Sequence, residues 1–471
     1  MGADFDLLSG RLWSRRLGRA LPIRSTYSVT PDPPETFGIA FIRVAGEERV
    51  QAVACGLIGT RPSVITIYNP LARGAHELAP FARTLDEYLT GYYSREQLPR
   101  IWLAHPAAVT VLDLLGYRYQ SNRHASDELR MMGQQCRALC EEATFPGQQV
   151  LAVASTLLME HIITGQSAVE DQHLGALLAW INPLKGCDPA IESQRRSLIP
   201  AAALLDQARD KQVERLRRLA RKCTSSSELE STNSQIRALL EEGVAQEWSL
   251  LEEARAAFWQ LGLAPAPLRY TSRLMEESRE RLRYFVSVGT KPPSRPHSLA
   301  LRLDTYEYMA ALVEERDACC DALVRERMRK AGRVIAVRVE SVEQPTPGRN
   351  PCRLILTTDQ AVLRVRPGTW LKSVDGRIQG WIVALAEGAG GKRRIVFRLL
   401  KGVRKGRPRV GQQFDMIDTV TFDLRWRKRA VYKLMRQDEP SVVYHNRLPQ
   451  SLPRHELPNG LLDLAEGKSW R

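Results

Sequence analysis

The residues best suited to chemistry in this chain are basic ones. Between Lys392 and Arg409, nine of 18 residues are Lys or Arg and none is acidic. They are Lys392, Arg393, Arg394, Arg398, Lys401, Arg404, Lys405, Arg407 and Arg409. A second cluster, Arg425-Trp426-Arg427-Lys428-Arg429, follows, with Lys433 and Arg436 beyond it. Such runs contact phosphates and release condensed counterions, so their affinity falls as salt rises. Phe397 and Trp426 would stack on bases if they face outward. The alternative is a solvated face, or one for an acidic protein, with both rings in the core.

Other chemistries leave less trace. Gly388-Ala389-Gly390-Gly391-Lys392 superficially resembles a phosphate-binding loop. That loop needs four residues between its first Gly and the Gly-Lys pair, then Ser or Thr opening a helix. Here two residues intervene, Arg393 replaces the hydroxyl and a strand pattern follows, so a hairpin turn is expected. No Walker motif is present, so ATP hydrolysis by this chain alone is not expected. Cys136 and Cys140 share a helix face near Glu141 and Glu142, with His161, His173, Glu160, Glu170 and Asp171 downstream. A structural zinc site wants a second matching pair of ligands, so buried structural thiols are the expectation, with no metal and no cofactor. Cys319-Cys320 reads as one core and one boundary residue. No Gly-x-Ser-x-Gly elbow occurs. His105, at a strand end, is the one histidine placed as active-site histidines often are; a hydrogen-bonded structural role is expected for it.

Elements must position these residues. Residues 1–35 read as an irregular arm with one short helix. The runs 37–44, 50–57 and 63–68 read as a strand meander, 75–92 as a helix, 100–105 as a strand and 107–115 as a helix. This order suggests an α/β domain over 36–125. The same order occurs in ribonuclease H-like nucleases, whose first strand normally supplies an Asp for two-metal catalysis. Neither Phe37–Val44 nor Ile101–His105 contains a carboxylate, so a catalytically empty domain is expected. Residues 126–200 read as a helical domain, with 126–143 and 148–164 as helices and the second apolar nearly all round. Residues 201–331 read as long antiparallel helices forming a stalk. In 228–261 the stripe is Ile236, Leu240, Val244, Trp248, Leu251 and Phe258; in 300–331 it is Leu303, Tyr306, Ala310, Val313 and Leu323. An intermolecular coiled coil is the alternative. Ser225 and Glu228 form a capping-box pattern. After Gly332 the period changes to two. Seven runs (333–342, 352–358, 361–365, 370–374, 380–386, 394–400 and 413–419) separated by Gly/Pro turns suggest a small basic β-barrel over 332–420. Residues 421–471 read as a basic helix and a loose tail.

The charge follows this division. The net charge is +15, and residues 331–471 carry 27 basic against 13 acidic side chains, so the excess belongs almost wholly to the barrel and its flank. Arg outnumbers Lys by 56 to 12, a bias that GC-rich coding produces without any function. Such coding does not explain why acids become scarce only after residue 330. No apolar stretch of about 18 residues is present, the first residues lack signal-peptide order, and the scattered cysteines fit a reducing compartment. A cytoplasmic protein with no membrane association is expected.

The layout of residues 200–425 resembles superfamily 1 helicases of the nonsense-mediated-decay and Okazaki-maturation type. In those enzymes a small β-barrel on a helical stalk touches single-stranded nucleic acid beside the first motor domain. The stretch Val410-Gly411-Gln412-Gln413-Phe414-Asp415 would end the barrel, and Leu457–Leu464 is similar to the approach to a motor domain. The motor motifs are absent, so no catalytic residue carries over. The resemblance implies an accessory protein, or the front part of a split helicase. The combined expectation is a multidomain α+β, non-enzymatic nucleic-acid-binding protein, acting on single strands beside a helicase or nuclease. The alternatives are a scaffold that uses its helices to bind proteins, and a nuclease-like domain with an unidentified active site.

Overall fold

A computed structural model describes residues 3–23, 29–45, 49–70, 75–198, 203–261, 268–288, 296–343, 353–388, 391–401 and 408–418. Among them the chain is mixed α/β, with 12 helices and several sheets. It divides into two compact units, residues 1–290 with 316–330, and 291–315 with 331–471.

The first unit opens with α1 (Ala3–Leu17) and β1 (Leu21–Pro22). Its main sheet uses β2 (Phe37–Arg43), β3 (Val50–Leu57), β4 (Ser63–Thr66), β5 (Ile101–Leu103) and β6 (Leu151–Val153), in the order β4-β3-β2-β5-β6. The β2–β3 and β3–β4 joints are antiparallel, whereas β2–β5 and β5–β6 are parallel. Central strands buried on both faces read as near-continuous apolar runs, and β2 is buried along its first six residues. On one face Phe37, Ile39 and Phe41 pack with α2 (Ala79–Ser94), α3 (Pro106–Tyr119) and α4 (Asp127–Ala143). On the other lie α5 (Ala154–His161), α6 (Leu174–Ile181), α8 (Gln207–Ala220) and α9 (Ser226–Gln260), with β7 (Ile162–Ile163) and α7 (Pro189–Arg196) beside them. Then comes α10 (Leu268–Val288), which packs on α4.

Several expectations change here. Residues 148–164 are not one helix. Leu151–Val153 joins the sheet parallel to β5 and only 154–161 is helical. A short all-apolar run does not separate strand from helix by periodicity; the non-local partner β5 decides it. The 1–35 arm carries a 15-residue helix, and in its later part Val29, Thr30 and the Asp32 carboxylate are buried. The stretches 36–125, 126–200 and 201–288 share one compact unit. The α9 stripe is buried as expected at Ile236, Leu240, Val244, Trp248, Leu251 and Phe258, but it covers the sheet instead of lining a stalk. A Cβ on Gly38 of β2 would lie 2.8 Å from the Trp248 ring, which shows how closely helix and strand approach. Ser225 caps α9 as its pattern predicts, its hydroxyl accepting the Glu228 N–H at 3.2 Å.

Residues 300–331 form two helices, α11 (Pro296–Cys320) and α12 (Ala322–Lys330), interrupted at Asp321. The buried face of α11 is Tyr308, Met309, Leu312 and Cys319, while Leu303 is 59% exposed and Leu323 on α12 is 77% exposed. Residues 308–313 are all apolar, so more than one stripe can be drawn on this helix, and the one expected from spacing is not the one buried.

The second unit holds β8 (Val334–Glu343), β9 (Arg353–Thr358), β10 (Trp370–Ser373), β11 (Gln379–Glu387), β12 (Arg393–Lys401) and β13 (Gln413–Asp418). They close into a barrel in the order β10-β11-β12-β9-β8-β13, every joint antiparallel. Closure removes the free edges that a small open sheet would expose. Inward residues alternate along each strand: Ile335, Val337, Val339, Leu354, Leu356, Leu371, Ile382, Ile395, Phe397, Leu399 and Met416 form one core. Residues 361–365, expected as a seventh strand, are irregular. The six places in the closed order are already filled. Residues 421–437 and 440–471, read as helical or mixed and as a loose tail, lie outside the described residues.

Candidate nucleic-acid interface

The basic segment begins on β12. Its pleat sends Ile395, Phe397 and Leu399 inward and Arg394, Val396, Arg398 and Leu400 outward. Phe397 is fully buried, so the possibility that it stacks on bases is withdrawn: three apolar residues at period two on a barrel strand define the core side. The same pleat fixes Arg394 and Arg398 on the surface. Lys392 and Arg393 are exposed at the strand's start, and Lys401 ends the strand. Arg409 is exposed in the turn before β13, where its N–H donates to Gln412 Oε1 at 3.0 Å. Arg404, Lys405, Arg407, Arg425, Trp426, Arg427, Lys428 and Arg429 lie outside the described residues.

Acids already engage two of these cations. Arg394 and Glu340 of β8 form a two-pronged pair, with Nε at 2.8 Å, and the Arg394 hydrogen bond holds the Glu340 carboxyl below its ordinary value. Lys392 Nζ lies 3.4 Å from Asp359. Both pairs are exposed, so each is worth little and is weakened by salt.

Arg398 is held differently, by residues that sequence spacing did not single out. In the barrel register Trp370 stands opposite Trp381, Trp381 opposite Arg398, and Arg398 opposite Arg353. These four side chains, from β10, β11, β12 and β9, form one outward row. The two indole centroids are 5.1 Å apart at 53°, and Arg398 Cζ sits 4.7 Å above the Trp381 ring. Cross-strand neighbours on one face are close enough for such contacts. Arg398 Nε is buried without a hydrogen-bond partner, so the ring face carries the contact. Exposed Val383 and Leu400 extend the surface. The signal was present in the sequence, since Trp381 alternates with core residue Ile382, but the row exists only through register.

The candidates in the first unit disperse. Cys136 is fully buried, and burial pushes its thiol up to about 12, away from the thiolate a metal needs. Cys140 donates to Val109 O at 3.6 Å. His161 is buried with Nδ1 2.6 Å from Leu157 O, and His173 caps α6 through Ala176 N–H. Asp171 pairs with Arg11, while Glu170 accepts the Ser167 N–H. His105 caps α3, Nδ1 accepting the Ala107 N–H at 3.2 Å, and burial lowers its pKa. Cys319 is buried and Cys320 lies at the boundary, as expected. Among the described residues no three His, Cys, Asp or Glu side chains are grouped to hold a metal ion. No described helix is long and apolar enough to cross a membrane. Comparisons with protein-family models, curated proteins and solved structures find no match.

Proposed function

We propose that this chain binds nucleic acid through its barrel, acting on the sugar-phosphate backbone of single strands beside or ahead of a helicase or nuclease motor. The observation that carries this reading is the acid-free segment Lys392–Arg409, whose strand presents Arg394 and Arg398 on the barrel's outer side next to Arg353. Backbone contacts of this kind position a protein without reading sequence, so low sequence specificity follows. Two ion pairs within the second unit support the likeness to a barrel borne on a helix: Glu315 and Glu314, on the part of α11 that belongs to this unit, pair with Lys372 and Arg333. No catalytic step is assigned to the chain.

The test replaces Arg404, Lys405, Arg407 and Arg409 with Ala. The variant should bind single strands more weakly and with a flatter salt dependence, since each lost phosphate contact removes about 0.7 from the slope. An unchanged slope would remove that loop from the interface. A second reading, a protein-interaction scaffold, draws on α1, whose Leu8, Leu12, Trp13 and Leu17 are all at least half exposed. Partner binding that persists at high salt without nucleic acid would favour it.

A further inference from the structure

The row Trp370–Trp381–Arg398–Arg353 has a chemistry that backbone binding does not use. Large aromatic side chains in a small barrel usually serve its core, and here the core is already filled by aliphatic residues and Phe397. Both tryptophans instead lie on the outer side, half-buried against each other. An outward indole pair buries less apolar area than an inward one, so barrel stability alone is a poor reason for it. The neighbour that completes the row is a guanidinium laid over an indole, with a second arginine on the next strand. In the same register Arg353 stands opposite the carboxylate of Glu343 on β8, so the acid lies at the arginine end of the row and away from the indoles.

We infer that this row is a stacking platform for unpaired bases. The proposal rests on the nucleic-acid reading above and adds a site and a ligand class: single strands whose bases are free to leave the helical stack. Every base has a π face, so aromatic stacking is tolerant of sequence. Guanidinium planes accept bases in the same way. Arg398 is therefore a flat cationic surface backed by Trp381, and Trp370 is the aromatic surface at the other end. Arg393 is exposed at the start of the same strand, where Lys392 and Arg394 already pair with Asp359 and Glu340, so a phosphate backbone would exchange for those exposed pairs. A duplex keeps its bases stacked internally and gains the charge contacts alone.

The experiment measures anisotropy of a labelled oligo-dT and of a duplex of equal length with the full chain. It uses wild type, Trp381→Phe and the double variant Trp370→Leu/Trp381→Leu. The double variant should lose about ten- to a hundredfold in single-strand affinity, with duplex affinity and the single-strand salt slope unchanged. Trp381→Phe should keep most of the affinity while reducing the quenching of intrinsic fluorescence by poly-dT. Unchanged oligo-dT affinity in a folded double variant would overturn the platform and leave the backbone reading standing. Equal losses on oligo-dT and duplex would also overturn it, because the row would then act through charge or fold. If the double variant does not fold, Trp381→Phe decides, and undiminished quenching overturns the platform. Wild-type protein that binds neither oligonucleotide at low salt overturns the backbone reading and the platform together.

Discussion

Two buried carboxylates show how single residues govern the first unit. Asp32 accepts hydrogen bonds from Trp102 Nε1 at 3.0 Å, Trp259 Nε1 at 2.9 Å and Arg255 Nε at 2.7 Å, and lies 3.6 Å from Arg100 Nη1. Burial lowers the Arg100 pKa and Asp32 opposes that shift. Removing the carboxylate strands a buried guanidinium, so Asp32→Ala should destabilise by about 3–5 kcal/mol, read from the denaturant midpoint. Glu247, on α9, has no ion pair among the described residues, and burial pushes its carboxyl from 4.5 up to about 7, although the Ala203 N–H pulls the other way. Between these two values the folded chain holds a proton that the unfolded chain has lost. The stability from this group is therefore full below pH 4.5 and is lost as pH rises through 7. The loss is on the order of 3 kcal/mol. Glu247→Gln should remove that falling limb. Melts at pH 5 and pH 7.5 check it, and an identical pH response in variant and wild type would refute it. Neither role is visible in the sequence, where Asp32 sits in a Pro-rich arm and Glu247 beside a charged helix face.

At the scale of elements, what could be read depended on whether a pattern was local. The cap at Ser225, the α9 stripe and the β8–β13 strand runs are properties of adjacent residues, and each appears where the spacing places it. The strand at Leu151–Val153, the partner covered by α9 and the buried face of α11 are settled by distant segments, and each differs from expectation. The tryptophan row belongs to the second kind, since it is made by register between strands. That register depends on Gly380. A Cβ there would clash with the Arg398 carbonyl oxygen, beside a register shift in the β11–β12 joint. Backbone cannot yield as a side-chain tip does, so Gly380→Ala should cost at least about 2 kcal/mol. Amide exchange should then rise across β10–β12 while the sheet of β2, β3 and β5 keeps its protection. Wild-type protection in β10–β12 would contradict this account of the joint.

For the whole molecule, the charge asymmetry and the fold division coincide. The near-neutral part of the chain makes the α/β unit, and the basic part contributes the barrel. This explains why the candidate interface was legible as a segment but not as a surface. Charge is counted along the chain, whereas Arg398 acquires its aromatic support and Arg394 its acidic partner only through strand pairing. The central claim is that the barrel binds the backbone of single strands. Its most direct test is the dependence of oligo-dT affinity on salt concentration for the intact chain. The account predicts submicromolar to micromolar binding at low salt and a log–log slope of about −3 or steeper, from four or more neutralised phosphates. Absence of binding at low salt, or affinity that does not change with salt, would contradict it.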